Sequence, residues 1–113
     1  MSSRAIEAIE AILDRGGDAD DVLRAVVAEL AREPGVAWAG IRFLENGELV
    51  LGPEAGVPDV GRRLRVPVAY QGAPVGELAI DGAADSALLE RIAAAVSAQV
   101  LLGWDTGGEA WEP

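Results

Sequence analysis

Arg62–Asp81, RRLRVPVAYQGAPVGELAID, decides the fold. Two runs rich in β-forming residues flank the turn pair Gln71-Gly72, so the stretch reads as an antiparallel hairpin with strands over about 63–70 and 75–81. Strict alternation puts Leu64, Val66 and Val68 on one face and Arg63 and Arg65 on the other. A two-residue loop would set Glu77 opposite Val66, a carboxylate in an apolar row. A three-residue loop, Gln71-Gly72-Ala73, pairs Val66 with Leu78, Leu64 with Ile80 and Arg63 with Asp81, and leaves Arg65 diagonal to Glu77. The second register is expected, because a one-residue slip moves every side chain to the wrong face.

Upstream, Val36–Phe43 reads as a strand and Leu49–Leu51 as its return. They are joined by Asn46-Gly47, whose two residues both tolerate positive φ. That turn sets Phe43 opposite Val50 and Leu44 opposite Leu49. The hairpin is then apolar on both faces, and something must cover each of them. Gly52–Gly61, GPEAGVPDVG, reads as a loop by composition.

Helices flank the strands. Residues 4–13 carry Ile6, Ile9 and Leu13 on one stripe, and Gly16-Gly17 ends that helix. Asp18 reads as the N-cap of a second helix with Asp20 and Asp21 in its first turn, an apolar face of Val22, Leu23, Val26, Val27 and Leu30, and a stop at Pro34-Gly35. Asp85 or Ser86 caps a last helix reaching about Leu102, with Leu88, Leu89, Ile92, Val96 and Val100 inward. The expected class is α+β: an antiparallel sheet of four to five strands with helices packed on one face, in the order α-α-β-β-loop-β-β-α. The 113 residues fit one domain, divided into an N-terminal helix (1–17), a core (18–102) and a tail (103–113).

Composition narrows the chemistry. The chain has no cysteine and no histidine, so it offers no thiol nucleophile, no thiolate metal site and none of the usual general bases near neutral pH. No metal and no cofactor is expected. The net charge of −10 argues against nucleic-acid binding. No apolar run approaches the roughly 18 residues of a membrane span, and the N-terminal apolar stretch contains acids, unlike a signal peptide. A cytoplasmic location is the expectation.

Pro67, Gly72, Gly76 and Leu78, set in a Val-Pro-Val strand and a Gly-Glu-Leu strand before a final helix, resemble the hairpin near the end of a GAF domain. The resemblance covers roughly residues 18–102 and is that of a minimal, lid-shortened member. It implies a sensory or protein-interaction module, with a small molecule held between the open sheet face and a lid. In this chain the lid interval is only Gly52–Gly61. The Asn-Lys-Phe-Asp-Glu motif of cyclic-nucleotide binders is absent, and no cysteine is present to attach a bilin. GAF-type enzymes that reduce free methionine sulfoxide need cysteines, so the resemblance implies no such activity here.

The expected function is therefore a non-catalytic module of the GAF type, with no catalytic residues. Trp38, Arg42, Arg63 and Arg65 are its candidate ligand-binding residues, an aromatic and cationic floor for a small anionic ligand on the open face. Against this, Asp81, Glu77 and the acidic tail can neutralise the arginines while Trp38 packs beneath the loop. The alternative function is a structural homodimerisation or scaffold domain, its partner a second copy meeting the broad apolar arcs of the N- and C-terminal helices. Roadblock-type profilin-like folds are an alternative for the fold, but they place a helix between the strand pairs, where Pro53 and Pro58 stand here. Asp105-Thr106-Gly107 matches the aspartic-protease tripeptide by chance, since nothing downstream can form a cleft. The aspartates at the helix starts read as capping residues rather than a calcium loop. Trp104 and Trp111 are expected to fold back over the domain or onto a partner.

Overall fold

The computed structural model describes residues 3–82 and 85–102. The readings made above for the tail, including Trp104, Trp111 and Asp105-Thr106-Gly107, lie outside the described residues. The elements are α1 (Ser3–Arg15), α2 (Ala19–Ala31), β1 (Val36–Glu45), β2 (Glu48–Gly56), a 3-10 turn (Val60–Arg62), β3 (Arg63–Tyr70), β4 (Ala73–Gly82) and α3 (Ser86–Ala95). Residues 97–102 are helical again beyond α3. The fold is α+β, with a four-stranded antiparallel sheet in the order β2-β1-β4-β3.

Alternation along the strands divides the sheet into two faces. Ala39 and Ile41 of β1 pair with Ile80 and Leu78 of β4, Leu64 and Val66 of β3 pair with the same two residues from the other side, and Val68 extends this apolar layer. Against it pack Val22, Leu23, Val26, Val27 and Leu30 of α2, and Leu88, Leu89 and Ile92 of α3. Helix α1 lies against α2 and α3, and buries Ile6, Ile9 and Ile12 in the same core. Asp85 caps α3 by accepting hydrogen bonds from the backbone N–H groups of Ala87 and Leu88. Asp18 occupies the N-cap of α2 without a side-chain cap bond.

Both hairpin turns have two residues at positive φ, Asn46-Gly47 and Gln71-Gly72, the geometry whose twist matches the strands it joins. Phe43 faces Val50, and Leu44 faces Leu49, as the sequence implies. Val66 pairs with Leu78, Leu64 with Ile80 and Arg63 with Asp81. The device that sets this second register differs from the expectation. The turn keeps two residues, Tyr70 pairs with Ala73, and the extra residue is a bulge between the Ala69–Pro74 and Val68–Gly76 pairs. Val75 is that extra residue, and it is buried. A bulge restores the face alternation without lengthening the turn.

The interval expected to be loop is strand over half its length. β2 continues through Gly52-Pro53 to Gly56, with a register shift between Gly40 and Arg42 on the facing strand. Proline is tolerated at such an irregularity on an edge strand because the missing N–H breaks no ladder bond. Residues 57–62 form the remaining connection. It is tied down by Val57 N–H donating to the Ala37 carbonyl (2.8 Å) and by Asp59 N–H donating to Asp81 Oδ2 (2.7 Å).

Candidate functional site

The second sheet face carries the polar chemistry. In register across it lie Trp38 beside Asp81, Gly40 beside Ala79, and Arg42 beside Glu77 on β1 and β4. On β3, Arg63 stands opposite Asp81 and Arg65 opposite Ala79. Trp38, Arg42, Arg63 and Arg65 thus share one face, in two groups.

The first group is built on Trp38, which is 2% exposed. Its indole lies over Gly40, where any Cβ would collide with the ring. Its Nε1–H donates to Glu54 Oε1 at 2.8 Å. The Arg63 guanidinium stacks on the ring, with Cζ 4.3 Å from the centroid. Arg63 also makes a fork on Asp81, Nε to Oδ1 at 2.6 Å and Nη2 to Oδ2 at 2.9 Å. The Asp81 side chain is fully buried and that of Arg63 is nearly so. A charge taken out of water is tolerated only with a partner and further hydrogen bonds; the bidentate contact and the Asp59 N–H supply both.

The hydrogen bond from Arg63 holds the Asp81 carboxyl below the ordinary carboxylate range. Burial opposes that shift, while the Asp59 N–H and the charges of Arg63 and Arg65 reinforce it. The same hydrogen bond raises the Arg63 guanidinium above its usual value, again against desolvation. This group is closed: its polar atoms satisfy one another.

The second group is open. Glu77 Oε1 is approached by Arg42 Nη1 at 3.5 Å and by Arg65 Nε at 3.8 Å. Arg65 is half exposed and Glu77 largely covered. Beside them is a cavity of about 330 Å³ whose walls include Leu44, Leu49, Pro67 and Pro74. One carboxylate shared by two guanidinium groups leaves a net positive charge at an apolar-walled depression.

Two participants escape a reading of the sequence. Glu54 falls in the interval read as loop, and only its place on β2 brings it to the indole. Asp59 acts through its backbone N–H, which no side-chain pattern reveals. The one signal present was Asp81 at the register position of Arg63. Asp18, Asp20 and Asp21 bring carboxylate oxygens together at the start of α2, but Asp20 is already bound by Arg24 at 2.7 Å. Among the described residues, no helix is long and apolar enough to cross a membrane.

No family model and no curated protein sequence matches the chain. Solved structures do. A type II free methionine-R-sulfoxide reductase from Thermoplasma acidophilum is 24% identical, with 73% of this chain and 91% of that chain covered and a TM-score of 0.62. The enzyme fRMsr of Staphylococcus aureus is 20% identical both in complex with substrate and in its reduced form, with TM-scores of 0.66 and 0.67. In each case 85% of this chain and 92% of that chain are covered. At these identities the likeness establishes the fold.

The neighbours also correct the reading of the sequence. They are reductases and not GAF signalling sensors, which overturns the assignment to that family as a sensor. The expectations of a non-catalytic sensory or interaction module, of a scaffold domain as its alternative, and of no enzyme fall with it. The physical reason is plain: missing cysteines exclude one nucleophile from this chain, but say nothing about which architecture the chain shares.

Proposed function

We propose that the chain works as an enzyme of the small-molecule class to which its structural neighbours belong, on a free amino-acid sulfoxide of the methionine type. The observation that supports the reading is the open-face cavity, an apolar depression of about 330 Å³ with Arg65 and Glu77 side by side at its wall. That volume lies at the small end of the roughly 300–1,000 Å³ of ligand pockets. A free amino acid presents a carboxylate and an ammonium on one carbon. Arg65 takes the carboxylate and Glu77 the ammonium, while Leu44, Leu49, Pro67 and Pro74 receive the apolar side chain.

The chain has no cysteine, so it contributes no thiol and its role is to bind and orient. The electrons come from an external dithiol. The sulfur–oxygen bond of the sulfoxide breaks, the oxygen leaves as water with the two thiol hydrogens, the sulfoxide is reduced to the thioether, and the dithiol is oxidised to its disulfide. Calorimetric titration with free L-methionine-R-sulfoxide tests the binding, and methionine formed in the presence of dithiothreitol tests the turnover. We expect saturable binding that weakens at least about tenfold in Arg65→Ala, consistent with the loss of one charge-assisted contact. Absence of binding would sink the reading. Binding without methionine formation above the dithiothreitol background would remove its catalytic half.

A further inference from the structure

β2 is an edge strand that its own fold leaves half finished. Among the described residues it pairs only with β1, so its outer backbone edge carries a row of donors and acceptors with no strand beside it. Three consecutive large apolar side chains stand on it, Leu49, Val50 and Leu51, at 43%, 44% and 48% exposure. Leu49 and Leu51 belong to the open face, and Val50, opposite Phe43, belongs to the helix face. A ligand lying on one face would cover only part of this set. A strand added at the edge covers both faces and pairs the backbone at the same time.

Charge selects the kind of strand. The apolar triplet is bracketed by acids: Glu45 and Glu48 face each other at the turn, and Glu54 stands at the far end, all three exposed. Two copies pairing antiparallel about Leu51 would set Glu48 of each opposite Glu54 of the other, and a parallel in-register pair would set each acid on itself. Like charges directly opposite are destabilising. We propose that the β2 edge is a docking site for an extended peptide segment of another protein, apolar and β-branched at its centre and basic at both ends.

The test titrates the full chain into a fluorescein-labelled Arg-Val-Thr-Val-Thr-Val-Arg peptide and reads anisotropy. Two controls are the same peptide with glutamates for arginines, and the same peptide N-methylated at all five internal residues, which blocks both of its edges. The N-methylated form keeps charge and side chains but cannot join a ladder. We expect saturable binding of the parent peptide, at least about tenfold weaker binding of both controls, and amide shift changes confined to residues 48–54. Val50→Ser/Leu51→Ser should abolish binding at an unchanged melting temperature; both positions are half exposed, and Glu48→Arg gives a second variant with the same expected loss. Equal binding of the N-methylated peptide would overturn the proposal, leaving only attraction to an acidic protein. So would a dimer that the peptide fails to dissociate, which would make a second copy the occupant. Binding seen only after residues 103–113 are removed would overturn it too, because the chain's own C-terminus would then be the occupant.

Discussion

The Arg63–Asp81 pair shows how two charges are held inside this sheet. Both are desolvated, and both are satisfied by geometry as well as by charge. Removing one partner leaves the other buried and uncompensated, so Arg63→Ala or Asp81→Asn should lower unfolding stability by about 3–5 kcal/mol, read from urea midpoints. A paired Arg63→Met/Asp81→Leu replacement should cost less than either single change, because it leaves no orphan charge. The pH dependence has a definite sign. The carboxyl of Asp81 titrates lower in the folded protein than in the unfolded chain. Its stabilisation is therefore complete above the unfolded value of about 3.9 and is lost as pH falls through the lower folded value. Urea titrations at several pH values should show the gap between the wild-type chain and Asp81→Asn constant from pH 7 to 5 and narrowing below 4; a gap that widened on acidification would contradict the pairing.

At the scale of elements, the two helix starts form a natural comparison. Asp85 accepts two backbone N–H bonds, whereas Asp18 accepts none and acts only through its charge at the N-terminus of α2. Asp85→Ala should cost about 1 kcal/mol, and Asp18→Ala only about 0.3–1 kcal/mol, shrinking further in salt. Thermal midpoints at low and high ionic strength separate the two. The elements themselves were largely legible. Asn46-Gly47 and the face logic of Leu64, Val66 and Val68 are local signals, and local signals survive folding. The bulge at Val75 and the continuation of β2 through Gly52-Pro53 were not legible. Both depend on what a neighbouring strand demands. In β2, glycine and proline stand in a strand because, among the described residues, it is paired on one side only, by β1.

For the whole molecule, a net charge of −10 on 113 residues means self-repulsion that salt relieves. Raising NaCl from about 10 mM to 300 mM should raise the melting temperature by several degrees, the equivalent of about 1 kcal/mol, as the Debye length contracts. The buried Arg63–Asp81 pair, shielded from ions, should not weaken correspondingly. Function was the least legible level. The sequence placed Arg65 diagonal to Glu77 and Arg63 beside Asp81 by register, yet register alone cannot tell a closed ion pair from one at the rim of a cavity. That distinction rests on Gly40, whose missing side chain lets the Trp38 ring lie flat and be roofed by Arg63. The same arrangement makes the indole an optical reporter. With Trp104 and Trp111 replaced by phenylalanine, Trp38, held rigid and dry between a glycine floor and a cationic roof, should emit at short wavelength, resist quenching by iodide and contribute a sharp near-ultraviolet dichroism band. Loosening of the 57–62 connection would then be visible as a change of colour before any loss of helix.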